Sequence, residues 1–361
     1  MQDTRWPAKT AKMSKTAKMS KTAKTAKMAK TTNNVLATAH QGINPAIESS
    51  MALAVVRRRG WSAMALFRAK GSQAEMREFS RPEASDATAA SLPLANEMSR
   101  HHVLILGGHG KIAQLLTPLL LQRSWTVTSL IRTESQKATV EKLGCDFPGK
   151  LNVLVRSIAD VDSQDGARCI LDEVQPDYVV WSAGAGGKGG KEMTFRVDRD
   201  AAIHFIHAAA SMPSISRFLL VSYTGSRRSG ASWWRAGEWD EYNQKVNQGV
   251  LADYYRAKIV ADEVLYTTTS RKDSSLVGLC LRPGTLSDGP AGGIEFGKTK
   301  HVMGQVSRIS VARTAAALLA ADGVRTSWLD LLDGDEDVDA AVGRAVRDGL
   351  DAAEGEKVHA P

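Results

Sequence analysis

His101-His-Val-Leu-Ile-Leu-Gly-Gly-His-Gly-Lys-Ile-Ala113 decides how this chain is read. Val103 to Leu106 is a short apolar run that stops on Gly107-Gly108, and an amphipathic stretch, Lys111 to Gln122, follows at once. Buried strand, tight glycine turn and helix, in that order, leave free backbone N–H groups at a helix N-terminus, where they can hold a diphosphate. Gly107, Gly110 and Ala113 put small residues where such a turn needs them. The first makes the turn, the second lets backbone approach phosphate, and the third lets helix pack close to strand. Gly107, Gly108, His109, Gly110, Lys111 and Ile112 are therefore the first candidates for holding a nucleotide; a plain structural turn is the competing reading.

From residue 101 onward the pattern alternates. Apolar runs suggest strands at 103–106, 126–131, 152–156, 178–181, 217–222 and 275–281, and helical periodicity falls at 110–122, 134–143, 163–174, 192–211, 250–269 and 309–321. Such alternation predicts an α/β, Rossmann-type, doubly wound parallel sheet with helices on both faces. Ser327 to Leu332 reads as a late strand and Asp337 to Ala353 as a closing helix, so residues 101–353 form the expected domain.

The net charge of +8 suggests a nucleic-acid partner until its distribution is seen. Residues 1–47 carry eight Lys and Arg5 against Asp3 alone, while residues 101–361 carry 30 basic and 32 acidic side chains. Basicity belongs to a leader, so the domain has little electrostatic support for binding nucleic acid. Residues 8–32 repeat a Lys-Thr-Ala-Lys-Met-Ser theme with no apolar face, and residues 1–100 are expected to be a disordered, basic, low-complexity leader. Met51 to Lys70 is basic, apolar and free of acids, as transit segments are, but it starts fifty residues in. The expectation is a cytoplasmic protein, mitochondrial if the leader is a transit peptide; an extension absent from the main product, which would start at Met98, is the competing account. Cys145, Cys169 and Cys280 are scattered without metal-ligand spacing, so no metal site is expected. No apolar run reaches the roughly 18 residues of a membrane helix.

Further chemistry is spaced along the strand ends. Arg132 stands 25 residues after Gly107, at the close of the second predicted strand. An acid at that place would accept from a ribose 2′-hydroxyl; an arginine favours a 2′-phosphate, which points to NADP(H), with NAD(H) possible. Asp160 follows the third strand and could accept from an adenine amino group, or be a turn aspartate. Ala183 and Gly184, after the fourth strand, would let a nicotinamide lie against bare backbone. Tyr254 and Lys258 are four apart on a helical stretch and share a face. A lysine beside a tyrosine favours the phenolate, lowering its pKa from about 10, and makes the tyrosine an acid–base group. Tyr255 is a rival at i+3.

Together these residues resemble the short-chain dehydrogenase/reductase superfamily, more narrowly its atypical and extended, epimerase-like branches. The resemblance covers about 101–335 and rests on the Gly107/Gly110/Ala113 turn, Trp181-Ser-Ala-Gly-Ala-Gly186, Phe218-Leu-Leu-Val-Ser222, Tyr254-Tyr-Arg-Ala-Lys258 and Leu281-Arg-Pro-Gly284. It implies that Pro283 adjoins the nicotinamide end, that Ser222 or Thr224 holds the substrate oxygen, and that Tyr254 and Lys258 carry the proton chemistry. Asp198 stands where relatives often have Asn in a water relay. Between Ser222 and Tyr254 lies an insert with Trp233, Trp234, Trp239 and Tyr242, either a lid or loop packing. The glycine-rich stretch Asp288 to Gly304 is expected to close over the substrate. The implied activity is an NAD(P)-dependent oxidoreductase acting on a small carbonyl, alcohol or sugar-like molecule, as monomer or homodimer. An epimerase or dehydratase, and a non-catalytic NADP(H) sensor, are the alternatives.

Overall fold

The computed structural model describes residues 101–186 and 189–359; the leader expected over residues 1–100 lies outside them. The strands are β1 (His102–Leu106), β2 (Thr126–Ile131), β3 (Lys150–Val155), β4 (Tyr178–Trp181), β5 (Arg217–Val221), β6 (Val277–Pro283), β7 (Thr285–Ser287), β8 (Gly293–Gly297), β9 (Gln305–Ser307) and β10 (Ser327–Gly334). Eight form one sheet in the order β3-β2-β1-β4-β5-β6-β10-β8, and β7 and β9 pair separately. Every pairing is parallel except β8 on β10.

Alternation along β1 shows why the sheet is covered twice. Val103 and Ile105 enter one core with residues of the helices Lys111–Leu121, Arg308–Ala320 and Val338–Arg347. Leu104 and Leu106 enter the other with residues of Gln164–Val174, Ala202–Ala210 and Ala252–Thr269. Side chains two apart share a sheet face, so a continuous apolar run is what a twice-covered strand requires. Each such side chain, removed from water, contributes about 1.5–3 kcal/mol.

The helix ends are capped in two ways. Ser163, Ser307 and Asp337 accept backbone N–H groups from Gly166, from Ser310, and from Asp339 and Ala340. Helix Lys111–Leu121 differs: its cap is Gly110, no side chain accepts from it, and its first turn has no acid. That helix offers its orphan N–H groups outward.

Several elements depart from the sequence reading. The helix expected over 134–143 is broken into a 3-10 turn, a short α-helix Lys137–Glu141 and a second 3-10 turn. The helix expected from 192 begins at Gly190 and contains a π-helical stretch, Phe195–Ala201, which carries Asp198. The glycine-rich stretch contains β8, the antiparallel edge strand, whose Ile294 and Phe296 are buried. Its period-two pattern is short and flanked by glycines, which hides it. Only part of Asp288 to Gly304 is therefore loop.

The chain runs β1, β2, β3 outward on one side, then crosses to β4 on the other side of β1. In open α/β sheets, ligands bind at the carboxyl ends of the strands where the order reverses. Here that switch point lies between the β1 and β4 ends, and it positions everything that follows.

Candidate functional site

The loops after β1 and β4 touch. Gly107 has φ +86°, and a Cβ there would lie 2.7 Å from the Ala183 Cα and 2.9 Å from the Ser182 carbonyl oxygen. Only glycine tolerates both the left-handed backbone and the contact. The N–H groups of Gly107 and Gly108 donate to the Leu130 carbonyl at 3.2 and 2.8 Å, which ties the turn to β2, and Gly110 donates to the Gly107 carbonyl at 2.8 Å. Ala113 is fully buried against the sheet. The turn ends at the uncapped helix N-terminus, with exposed Lys111 at its first position. This donor set, backbone N–H groups plus a lysine and no acid in the first turn, fits a dinucleotide diphosphate.

On one side of the turn lie the residues expected to meet adenosine. Arg132, just past β2, is exposed; its backbone N–H donates to the Gln136 side chain at 3.0 Å, and its guanidinium has no ion-pair partner among the described residues. Asp160 is exposed on the 3-10 turn Ile158–Asp160. On the other side, Ala183 and exposed Gly184 follow β4. A Cβ on Gly184 would lie 2.8 Å from an Asp198 carboxylate oxygen. Asp198 is 2% exposed and accepts the Ala185 N–H at 2.9 Å. Burial pushes its pKa up, against the pull of Lys258.

Helix Ala252–Thr269 brings Tyr254 and Lys258 to this end of the sheet. Lys258 is 1% exposed, and its Nζ donates to the Val221 carbonyl at the end of β5 at 2.9 Å. The Tyr254 ring lies 5.3 Å from that of Tyr223, and its hydroxyl makes no hydrogen bond among the described residues. Tyr255 is tied down instead: its hydroxyl donates to the Arg227 carbonyl at 3.1 Å. The lowered tyrosine pKa expected from the pair is not found. Burial pushes Tyr254 well above the usual phenol range, and Asp198 and Asp262 push it further. Lysine favours a phenolate only when its charge is not already answered, and both carboxyls answer it.

Ser222 and Thr224 lie just beyond β5, both buried. The Ser222 hydroxyl donates to Asp262 Oδ2 at 2.5 Å, and the Thr224 hydroxyl donates to the Val302 carbonyl at 3.0 Å. With its proton given away, each can only accept from a substrate. Pro283 ends β6, and its carbonyl accepts the Thr224 N–H at 3.1 Å. The aromatic insert packs on the segment that follows β8. Indoles of Trp233 and Trp234 both donate to the Thr299 carbonyl, at 3.0 and 2.9 Å, and buried Glu238 accepts the Val302 N–H at 2.9 Å. Trp234, Trp239 and Tyr242 continue the ring stack.

Two charged residues escaped the sequence reading. Asp262 is wholly buried, one helical turn beyond Lys258 and two beyond Tyr254, a spacing that could have placed it on their face. Asp288 pairs with Lys111 of the glycine turn at 2.7 Å and with Arg308 at 2.7 Å, so the loop after β7 reaches the phosphate side. Neither partner is near in sequence, and no local pattern announces them. Among the described residues, no group of three His, Cys, Asp or Glu is placed to hold a metal ion, and no helix is long and apolar enough to cross a membrane.

Comparison with known proteins agrees with this geometry. A family described as NAD(P)H-binding matches residues 107–322. A UPF0659 protein of Schizosaccharomyces pombe is 30% identical over 249 residues, covering 66% of this chain and 92% of that protein. The Bacillus subtilis protein named "Uncharacterized sugar epimerase YhfK" is 29% identical over 241 residues, covering 66% of this chain and 98% of the relative. Among solved structures, a putative NAD-dependent epimerase/dehydratase from Bacillus halodurans superposes with a TM-score of 0.52 at 24% identity, over 68% of this chain and 99% of that one. The fold is thus shared with epimerase-like Rossmann proteins.

Proposed function

We propose, for a chain that belongs to the NAD(P)H-binding family, an oxidoreductase of the short-chain dehydrogenase type that uses NADP(H) in preference to NAD(H). One observation carries the reading: Tyr254, alone of the two tyrosines on its helix turn, keeps a hydroxyl with no hydrogen-bond partner among the described residues, at the strand ends where the glycine turn and the Ala183-Gly184 loop meet. The bound cofactor supplies hydride chemistry. Gly107 to Ile112 hold its diphosphate, Arg132 its 2′-phosphate, Asp160 its adenine, and Ala183, Gly184 and Pro283 border its nicotinamide end.

The proton chemistry follows from the surroundings of Tyr254. A phenol held above its ordinary pKa is neutral at physiological pH and so acts as a donor. This favours reduction of a carbonyl, with Tyr254 giving its proton to the oxygen that gains negative charge. Lys258 fixes the helix against β5 through the Val221 carbonyl. Ser222 and Thr224, as acceptors, suit a substrate that brings hydroxyl groups of its own, which is why a sugar-like or hydroxylated carbonyl compound is the favoured class.

An epimerase, returning hydride to the same substrate, is the second reading; the similarity to the B. subtilis protein named as a sugar epimerase and the hydroxyl-accepting wall favour it. Tryptophan fluorescence during titration with NADPH and NADH tests the cofactor. A screen of carbonyl compounds for NADPH consumption tests the chemistry: Tyr254→Phe should lower turnover about 10²–10⁴-fold while leaving NADPH affinity within about twofold. Tight NADPH binding without consumption, unchanged in the variant, would make the protein a sensor. Cofactor that survives purification and is not consumed would support the epimerase.

A further inference from the structure

The buried ionisable groups beside the site do not balance. Arg227 and Glu356 pair at 3.3 Å, and Arg282 and Asp330 pair at 2.9 Å, with all four side chains at most 1% exposed. Lys258 remains, and it acts on two carboxyls, Asp198 and Asp262; from β6, Arg282 also pulls on Asp262 but is already paired with Asp330, and the Cys280 thiol beside Asp262 is held neutral by burial. Asp262 is wholly buried; its Oδ2 accepts from Ser222, and its Oδ1 has no hydrogen-bond partner among the described residues. Other charges near Asp198 are spoken for or exposed: Arg199 pairs with Asp200 at 2.6 Å, Lys191 with Asp253 at 3.6 Å, and Arg196 and Asp160 face solvent. The Ser182–Gly186 loop above brings no titratable side chain, and the helix beneath brings Tyr254, which is neutral. One lysine against two carboxylates leaves a net negative charge in a dry site, which is costly enough that a carboxyl takes up a proton instead.

Asp198 is the member that reaches the cofactor side, since its carboxylate lies against Gly184 and Ala185. We propose that Asp198, Lys258 and Asp262 share one surplus proton when the site is empty or holds a reduced nicotinamide, and that the cationic ring of the oxidised cofactor expels it to solvent. This rests on the reading that the nicotinamide end lies against Ala183 and Gly184. The step is an acid dissociation: a carboxyl O–H breaks, the proton leaves to water, and the carboxylate that remains answers the ring's positive charge. A reduced ring is neutral and leaves the proton in place. The protein thereby distinguishes the two redox forms of its cofactor by charge, and the Asp198 carboxyl is what makes that possible.

The experiment needs no substrate. NADP+ or NADPH is mixed with the protein in weak buffer containing a pH-indicator dye, and Kd is measured across pH for each. Below the cluster's pKa, close to one proton should appear per NADP+ bound and none per NADPH, the 2′-phosphate being common to both and cancelling. The Kd for NADP+ should fall about tenfold per pH unit while that for NADPH stays flat. Asp198→Asn and Asp262→Asn should each abolish the release, by different routes. Asp198→Asn removes the anion beside the ring, so NADP+ weakens relative to NADPH. Asp262→Asn leaves Asp198 permanently ionised, so NADP+ binds at low pH as tightly as the parent does at high pH. Equal proton release by both cofactors, or persistent release in a folded Asp262→Asn protein, overturns the proposal alone. Failure to bind either cofactor overturns the cofactor reading and this inference with it.

Discussion

The glycine turn after β1 and the buried charges beneath Tyr254 lie at the same end of one sheet and are built in opposite ways. The turn is backbone: its shape comes from Gly107 and from contact with Ala183, and the charged side chains around it, Lys111, Arg132 and Asp160, are exposed. Beneath Tyr254 the charges belong to side chains, and those are buried and each is hydrogen-bonded, Asp262 to Ser222, Lys258 to the Val221 carbonyl and Asp198 to the Ala185 N–H. A diphosphate brings its own charge into water-accessible space, so the protein need only leave donors free. A proton must be held against loss to solvent, so its carriers are taken out of water and each needs a partner. The turn should therefore be tolerant in stability and sensitive in binding, and the buried cluster the reverse.

Breaking the Arg282–Asp330 pair tests the second half of that contrast most severely. Arg282→Met leaves Asp330 buried and unpaired, and should lower unfolding stability by about 3–5 kcal/mol in a urea titration. Arg282→Met with Asp330→Leu should recover most of the loss, because two apolar groups need no compensation. A single-variant cost below about 1 kcal/mol would mean that water reaches the pair, and the contrast would fail. The carboxyls give a pH signature in the same region. Burial raises Asp198 and Asp262 above the ordinary carboxylate value. The folded state then binds protons more tightly than the unfolded chain, so stability is greatest below about pH 4 for these groups and declines as pH rises toward their folded pKa. Asp262→Asn should flatten that decline in melting temperature while keeping a Ser222 contact.

The same difference governs what was legible in the sequence. The strands β2 and β4 stand at their expected residues, and the glycine turn was recognisable because a tight backbone turn writes itself into local spacing. Tyr254 and Lys258 were legible for the same reason, being four apart on one helix. Their electrostatics were not, since Asp198, Asp262 and Arg282 come from three separate elements and meet only through the fold. Ser222 and Thr224 could be expected just beyond β5, where they lie, but no local pattern shows that Asp262 and Val302 take their protons. The π-helical stretch under Asp198 and the edge strand β8 were missed because neither carries an uninterrupted period of its own.

On the turn side, Arg132→Ala should weaken NADPH by about 1.5–3 kcal/mol, a charge-assisted contact's worth, and leave NADH nearly unchanged. Equal losses for both cofactors would assign Arg132 to the diphosphate or to neither. Unfolding midpoints should not move, since the side chain is exposed. Gly107→Ala comes next, at about 1–2 kcal/mol of stability for the left-handed backbone alone, with a larger loss of cofactor affinity because the β4 loop must shift. Gly186→Ala is the control: its φ is +62°, but nothing among the described residues lies within 4 Å of the added Cβ. It should show the strain without the binding defect, and a binding loss as great as that of Gly107→Ala would detach the defect from the Ala183 contact.

The smallest effect should come from Asp288, the acid that pairs with Lys111 of the turn. Its pairs with Lys111 and Arg308 are short, at 2.7 Å each, but the Lys111 and Asp288 side chains are 66% and 64% exposed. Exposed pairs contribute about 0–1 kcal/mol, so Asp288→Ala should barely change stability. Its effect on binding carries a sign. A diphosphate entering at the Lys111 end of the helix must compete with the Asp288 carboxylate for that lysine and is repelled by it. Removing the acid should tighten NADPH and NADH alike, by no more than about fivefold, and salt should erase the gain because screening acts on exposed charges. Weaker binding in Asp288→Ala would give the opposite account: the bridge would then be holding the β7 loop over the bound dinucleotide, and the turn would depend on a side chain after all.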